Sequence, residues 1–145
     1  MAYDSELKEK VIPLVKEAPR LLEEGFRQRD PVCMAAEIRL KDSGITKDHP
    51  NYAEETAAYL VEECSKQRNA LPKLQRWYKQ MRSTVSVWLV EHGFKDSKTL
   101  TTDDFVTIAK ANIKALAEQK ELTASQTKNE KILFSLNKQH RDTLA

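Results

Sequence analysis

The sequence predicts an all-α fold, and three observations lead to this prediction. Apolar residues recur at spacings of three and four along much of the chain, as they do on the buried face of an amphipathic helix. Only three glycines occur, and each stands where a helix is expected to stop. One stretch has the composition of a β-strand, but no second convincing strand is present to pair with it. We therefore expect a compact bundle of five to seven helices around a central helix at about residues 70–92.

The length and composition fit one folded domain. The chain has 145 residues, of which 40% are hydrophobic and 32% are charged, and this balance is typical of globular proteins. We expect residues 1–122 to form the helical bundle and residues 123–145 to form a polar C-terminal helix or tail. The only strong apolar group of this last segment, which can pack on a partner, is Ile132, Leu133, Phe134 and Leu136.

The expected location is cytoplasmic, with no membrane partner. No run of about 18 apolar residues is present, so no transmembrane helix is predicted. The first residues lack the basic start and the apolar core of a signal peptide, so secretion is not expected.

The first helical segment covers residues 5–28 and starts at Ser5. Pro13 and Pro19 interrupt it, which predicts either two short helices or one kinked helix. Gly25 lies near its end. Its core candidates are Val11, Ile12, Leu14, Val15, Leu21, Leu22 and Phe26.

The second helix is expected to begin at Asp30-Pro31, with aspartate as the N-cap and proline at the first helical position. Ser43-Gly44 is expected to stop it. The side chains expected to face inward are Val32, Met34, Ala35 and Ile38, with Cys33 as a further candidate.

The third helix is predicted over residues 50–67, with Asp48 or His49 as its cap. Its inner face is Ala53, Ala57, Leu60, Val61 and Cys64, and its outer face carries Glu54, Glu55, Glu62 and Glu63. The two cysteines, Cys33 and Cys64, are most simply buried thiols, although their spacing alone leaves a disulfide open.

The stretch from Cys64 to Val90 is the most distinctive part of the chain because it contains six basic residues and no acidic one. Residues 1–63, by contrast, carry 9 basic and 14 acidic side chains. At 100° per residue the apolar side chains of this stretch form one stripe, with most of the basic ones opposite. We expect the helix to start near Asn69 or Ala70 and to end at His92, before Gly93. It can form an antiparallel hairpin with the third helix.

Residues 84–90 of this helix are rich in β-branched and aromatic side chains, which favour strands. A helix is retained because no partner strand is found. Val87 and Val90 then lie on the polar side, which predicts that this end is covered on both faces and that the helix is the most buried one.

A further helix is expected to begin at Thr101 or Thr102 and to run to about Gln119. Its inner stripe is Phe105, Ile108, Ala109, Ile113 and Leu116. Asn112 lies within the stripe and needs a hydrogen-bond partner if it is buried.

No enzyme, metal site or cofactor is predicted. His49, His92 and His140 have no partner at metal-ligand spacing, and the motifs of common nucleophile, phosphate and calcium sites are absent. Adjacent acidic pairs such as Glu23-Glu24 diverge by 100° on a helix, which is typical of solvated faces and caps.

The function we predict is binding of nucleic-acid backbone, DNA or RNA, without sequence reading. The protein would act as a non-enzymatic subunit of a larger assembly, such as a filament coat or a ribonucleoprotein. Basic side chains can follow phosphates, and a partly exposed ring can stack on a base. The candidate residues are Lys66, Arg68, Lys73, Arg76, Lys79 and Arg82, with Trp77 as a stacking platform. Lys128, Lys131, Lys138 and Arg141 could extend the same surface.

Two alternatives stay open. The basic face can pair with the acidic third helix of the same molecule, which would remove the anion-binding surface. The protein can also be a protein-only adaptor or a self-associating subunit that uses the acidic helix and the C-terminal apolar patch.

Overall fold

The computed structural model describes residues 2–91 and 100–119, and within these ranges the chain is helical with no strand. Its helices are α1 (Ala2–Arg27), α2 (Pro31–Asp42), α3 (Tyr52–Lys66), α4 (Pro72–Glu91) and α5 (102–119). The all-α prediction is confirmed. The predictions for His92, for Gly93 and for the segment 123–145 lie outside the described residues.

Helix α1 is a single element of 26 residues that continues through Pro13 and Pro19, so of the two predicted alternatives the structure has one helix rather than two short ones. It ends in a hydrogen-bonded turn in which Asp30 N donates to Gly25 O at 2.8 Å and Arg29 N donates to Phe26 O at 3.1 Å. Arg29 has φ 58°, the left-handed conformation that glycine usually supplies at this place. Gly25 is therefore not the stop residue; a Cβ there would lie only 2.9 Å from Cys33 Cβ, so the glycine permits close packing of α2.

Both predicted ends of α2 are confirmed. Asp30 is its N-cap and accepts a hydrogen bond from Cys33 N, and Gly44 follows the C-cap Ser43 with φ 72°. The predicted inner face is wrong at Met34 and Ile38, which are exposed, and Phe26 at the end of α1 is exposed as well. The buried side chains of α2 are instead Val32, Cys33, Ala36 and Leu40.

Helix α3 begins later than predicted, and its N-cap residue is Asn51 rather than Asp48 or His49. The reason is a turn in which Tyr52 N donates to His49 O and Asn51 N donates to His49 Nδ1, both at 3.0 Å. The predicted inner residues Ala57, Leu60, Val61 and Cys64 are buried.

The core is shared by all five helices, and α1 contacts α2, α3 and α4. Helix α4 packs on α1 and makes fewer contacts with α3, so the predicted hairpin of α3 and α4 is a minor interface. The central position predicted for residues 70–92 is not confirmed, because α4 packs mainly on α1, whereas α1 also packs extensively on α2 and α3.

The apolar stripe of α4 is confirmed: Leu74, Trp77, Met81, Val85, Trp88 and Leu89 are buried. The strand-like residues 84–90 are helical. However, Val87 and Val90 are 48% and 52% exposed, so the prediction that this end is covered on both faces is wrong.

Thr101 caps α5 as predicted, since its hydroxyl oxygen accepts a hydrogen bond from Asp104 N at 3.1 Å. Asn112 satisfies its amide within the helix by donating to Ile108 O at 2.9 Å. No helix in the described ranges combines the length and the apolarity needed to cross a membrane.

Candidate nucleic-acid interface

The six basic residues predicted to form one surface are divided among three elements. Lys66 is the last residue of α3, Arg68 lies in the connection that follows it, and only the other four lie on α4. This division follows from the start of α4 at Pro72, where the ring nitrogen has no hydrogen to donate and a helix begins readily. Lys73, Arg76 and Lys79 are exposed on the outer side of α4, and Arg68 is also exposed.

The acidic residues of α3 interact mainly with helices other than α4. The carboxylate of Glu62 contacts both Arg39 of α2 and Lys110 of α5, and Arg39 Nη1 lies 3.3 Å from Glu63 Oε1. Burial by itself would raise the pKa of Glu62, but hydrogen bonds from Lys110 and Arg39 outweigh it and lower the pKa. Glu54 and Glu63 are buried, so the prediction that all four glutamates decorate the outside is wrong.

Two of the candidate lysines do have acidic partners. Lys66 Nζ lies 3.7 Å from Glu63 Oε1, and Lys73 Nζ lies 3.5 Å from Glu24 Oε2. Both lysine side chains remain about two-thirds exposed, at 64% and 67%. Ion pairs this exposed contribute ~0–1 kcal/mol, so a phosphate can readily compete for either lysine.

Arg68, Arg76 and Lys79 have no carboxylate within 4.0 Å among residues 2–91 and 100–119. Their charges are therefore not neutralised by ion pairs with the described acidic residues. Together with Lys73 they form a positively charged edge at the N-terminal half of α4, and we call these four residues the basic edge.

Arg82 differs from the other candidates because its guanidinium is bound by other residues of the same molecule. Its guanidinium donates to Leu100 O and to the Thr102 hydroxyl, both at 3.3 Å, and lies 5.6 Å from the centre of the Phe105 ring. These contacts join α4 to the start of α5. Arg82 is half-buried and is better described as a structural residue than as a phosphate ligand.

The prediction that Trp77 is a stacking platform is wrong. Its side chain is 2% exposed, and its indole Nε1 donates to Leu14 O of α1 at 2.9 Å. Trp88 is also buried. Tyr78 is half-buried and meets Phe105 edge-on, with ring centres 5.5 Å apart. Burial therefore makes Trp77 and Trp88 unavailable for base stacking, and Tyr78 is partly covered.

The described residues contain no group of three side chains placed to hold a metal ion. Both cysteines are free and buried, as predicted. Burial raises the pKa of the Cys33 thiol, and raises that of Cys64 to about 12; the nearby charge of Asp30 adds to both shifts. Thiols held protonated in this way are poor nucleophiles.

No protein-family model, curated protein or solved structure matches the chain. The basic edge is thus interpreted from its geometry alone.

Proposed function

We propose that this protein is a non-enzymatic helical subunit that binds the backbone of nucleic acid, without reading sequence, within a larger assembly. The observation that carries the proposal is that Glu62 and Glu63 of α3 face Arg39 and Lys110, while Arg68, Arg76 and Lys79 have no carboxylate partner in the described ranges. The acidic side chains of α3 therefore do not neutralise the basic edge.

The spacing of the basic residues on α4 fits a ligand with regularly repeated negative charges. With a rise of about 1.5 Å per residue, Lys73, Arg76 and Lys79 follow one another at intervals of about 4.5 Å along the helix axis. Arginine can donate two parallel hydrogen bonds to one phosphate, and lysine acts as a point charge. Their exposure leaves these groups accessible to a ligand.

The proposal is tested with the double variant Arg76→Glu plus Lys79→Glu, measured by fluorescence anisotropy with labelled DNA and RNA at low salt. We expect binding to be lost while the helical circular dichroism stays unchanged. Lys47→Glu plus Lys114→Glu is the matched control, since it changes the net charge equally at two exposed sites that are not part of α4. Unchanged binding of the Arg76/Lys79 variant, or equal losses in the two variants, would contradict the proposal.

A second candidate is a subunit that contacts only protein, and the exposed apolar side chains of Phe26, Met34 and Ile38 favour it. Methionine and aromatic side chains at a surface are common in protein interfaces. Such an interface would be less sensitive to salt than phosphate binding, whose affinity falls with a log–log slope of about −0.9 per contact on duplex DNA.

A further inference from the structure

Building on the proposed function, we infer that the basic edge binds double-stranded nucleic acid in preference to single strands. The inference depends on two features of the structure. The tryptophan rings of α4 are buried, and the three α4 residues of the basic edge, Lys73, Arg76 and Lys79 (the basic row), lie on a helix segment that is packed on the core.

Proteins that bind single strands obtain much of their affinity by stacking successive bases on exposed aromatic rings. In the described part of the chain both tryptophan rings of α4 are buried, and the ring of Tyr78 is half-buried. Trp77 is covered by α1 and donates its indole hydrogen to Leu14 O, and Tyr78 lies against Phe105. An unpaired base would therefore gain no stacking partner from Trp77 and only a partly covered ring from Tyr78.

The alternative source of affinity is phosphate charge, and a duplex presents it at higher density. Duplex DNA carries one negative charge per about 1.7 Å of its axis, whereas one of its strands carries one per about 3.4 Å. A row of cations about 4.5 Å apart therefore lies within reach of more phosphates on a duplex than on a single strand.

Rigidity of the basic row favours the duplex as well. The buried side chains of Leu74, Trp77 and Met81 fix the segment of α4 that carries Lys73, Arg76 and Lys79. A duplex holds its phosphates in place before binding, whereas a flexible strand must lose conformational freedom to match a fixed row of charges.

The test compares a duplex of about 20 base pairs with its two separated strands. A duplex of this length is much longer than the row formed by Lys73, Arg76 and Lys79. The full chain is titrated into each labelled ligand, prepared as DNA and as RNA, at several salt concentrations. We expect at least about fivefold tighter binding to the duplex, with a slope of log affinity against log salt near −2.7 if three phosphates are contacted. The intrinsic tryptophan emission should stay unquenched at saturation, because neither ring meets a base.

Three outcomes are distinguished. A duplex preference below about fivefold, or quenching of tryptophan emission by single strands, overturns this inference. If binding in that case still depends on Arg76 and Lys79, the proposed function stands. Binding to neither ligand at low salt contradicts the proposed function itself. Tighter duplex binding that is lost in Arg76→Glu plus Lys79→Glu, together with unquenched emission, supports both.

Discussion

The carboxylate of Asp30 accepts a hydrogen bond from Leu71 N at 2.8 Å, across 41 residues of sequence. Its second oxygen accepts from Cys33 N at 3.0 Å, and the side chain is only 3% exposed. Leu71 O in turn accepts the hydrogen bond of Gln75 N in the first turn of α4. One buried carboxylate therefore holds the starts of both α2 and α4, and so fixes the position from which the basic edge begins.

Asp30→Ala is expected to lower the free energy of unfolding by about 2–3 kcal/mol, because it removes a helix cap and leaves two backbone donors without their acceptor. Asp30→Asn should lower it less, since the amide oxygen can still accept one of the two hydrogen bonds. Urea denaturation followed by circular dichroism measures both values. A change below about 0.5 kcal/mol in Asp30→Ala, the range of an ordinary surface substitution, would contradict this role.

Replacing Arg29 by glycine is expected to stabilise the folded protein. Its φ of 58° is unfavourable for a residue with a Cβ by about 1–2 kcal/mol, whereas glycine adopts this conformation freely. Arg29→Gly should raise the free energy of unfolding by about 0.5–1 kcal/mol, the gain being reduced by the greater flexibility of glycine in the unfolded chain. Arg29→Ala is the control: it removes the same exposed side chain but keeps the Cβ, so the stabilisation should be absent. Equal stability of the two variants would show that the backbone conformation is not the cause.

The buried thiols predict a loss of stability at alkaline pH. Cys64 titrates at an ordinary value of 9.0 when unfolded and at about 12 in the folded protein. Between these values the unfolded chain has released a proton that the folded chain keeps, so the free energy of unfolding falls as pH rises above about 9. The expected slope is about 1.4 kcal/mol per pH unit for each buried thiol.

Denaturation curves at pH 8 and pH 10 test this expectation. Cys64→Ala should be less stable than the original chain at pH 8 but should lose less stability on going to pH 10. Identical pH dependence of the two proteins would mean that the Cys64 thiol is not kept protonated by the fold.

The sequence was sufficient to predict features that depend on neighbouring residues. Asp30 next to Pro31, Thr101 before Asp103-Asp104, and Gly44 after the second helix are local helix signals, and the structure confirms each of them. The stripe of α4 was also predictable, since six apolar side chains at helical spacing must lie on one face.

Features that depend on distant residues were not predictable in the same way. Trp77 lies near the border of its stripe, and only the position of Leu14, 63 residues away, determines that it is buried. The pairing of Glu62 with Lys110 spans 48 residues, and the sequence offered the basic face of α4 as an equally suitable partner. Helix α2 has apolar residues on more than one side, so Met34 and Ile38 were assigned to the wrong face.

The two arginines of α4 should separate stability from ligand binding. Arg82→Ala removes hydrogen bonds to Leu100 O and to Thr102, together with the contact over Phe105, and is expected to lower the free energy of unfolding by about 1 kcal/mol. Because this guanidinium is engaged internally, nucleic-acid affinity should stay nearly unchanged. Arg76→Ala should do the opposite, with stability changed by less than about 0.5 kcal/mol and the salt slope of binding made shallower by about 0.9.

Urea denaturation and anisotropy titrations between about 50 and 200 mM salt give both quantities for the two variants. Gln80→Ala is the matched control, because it shortens an exposed neutral side chain of the same helix. If Arg82→Ala weakens binding as much as Arg76→Ala while remaining folded, the ligand surface must extend across Arg82 to the start of α5. If neither arginine changes the salt slope, α4 does not contact phosphate, because each lost phosphate contact must reduce the number of counterions released on binding.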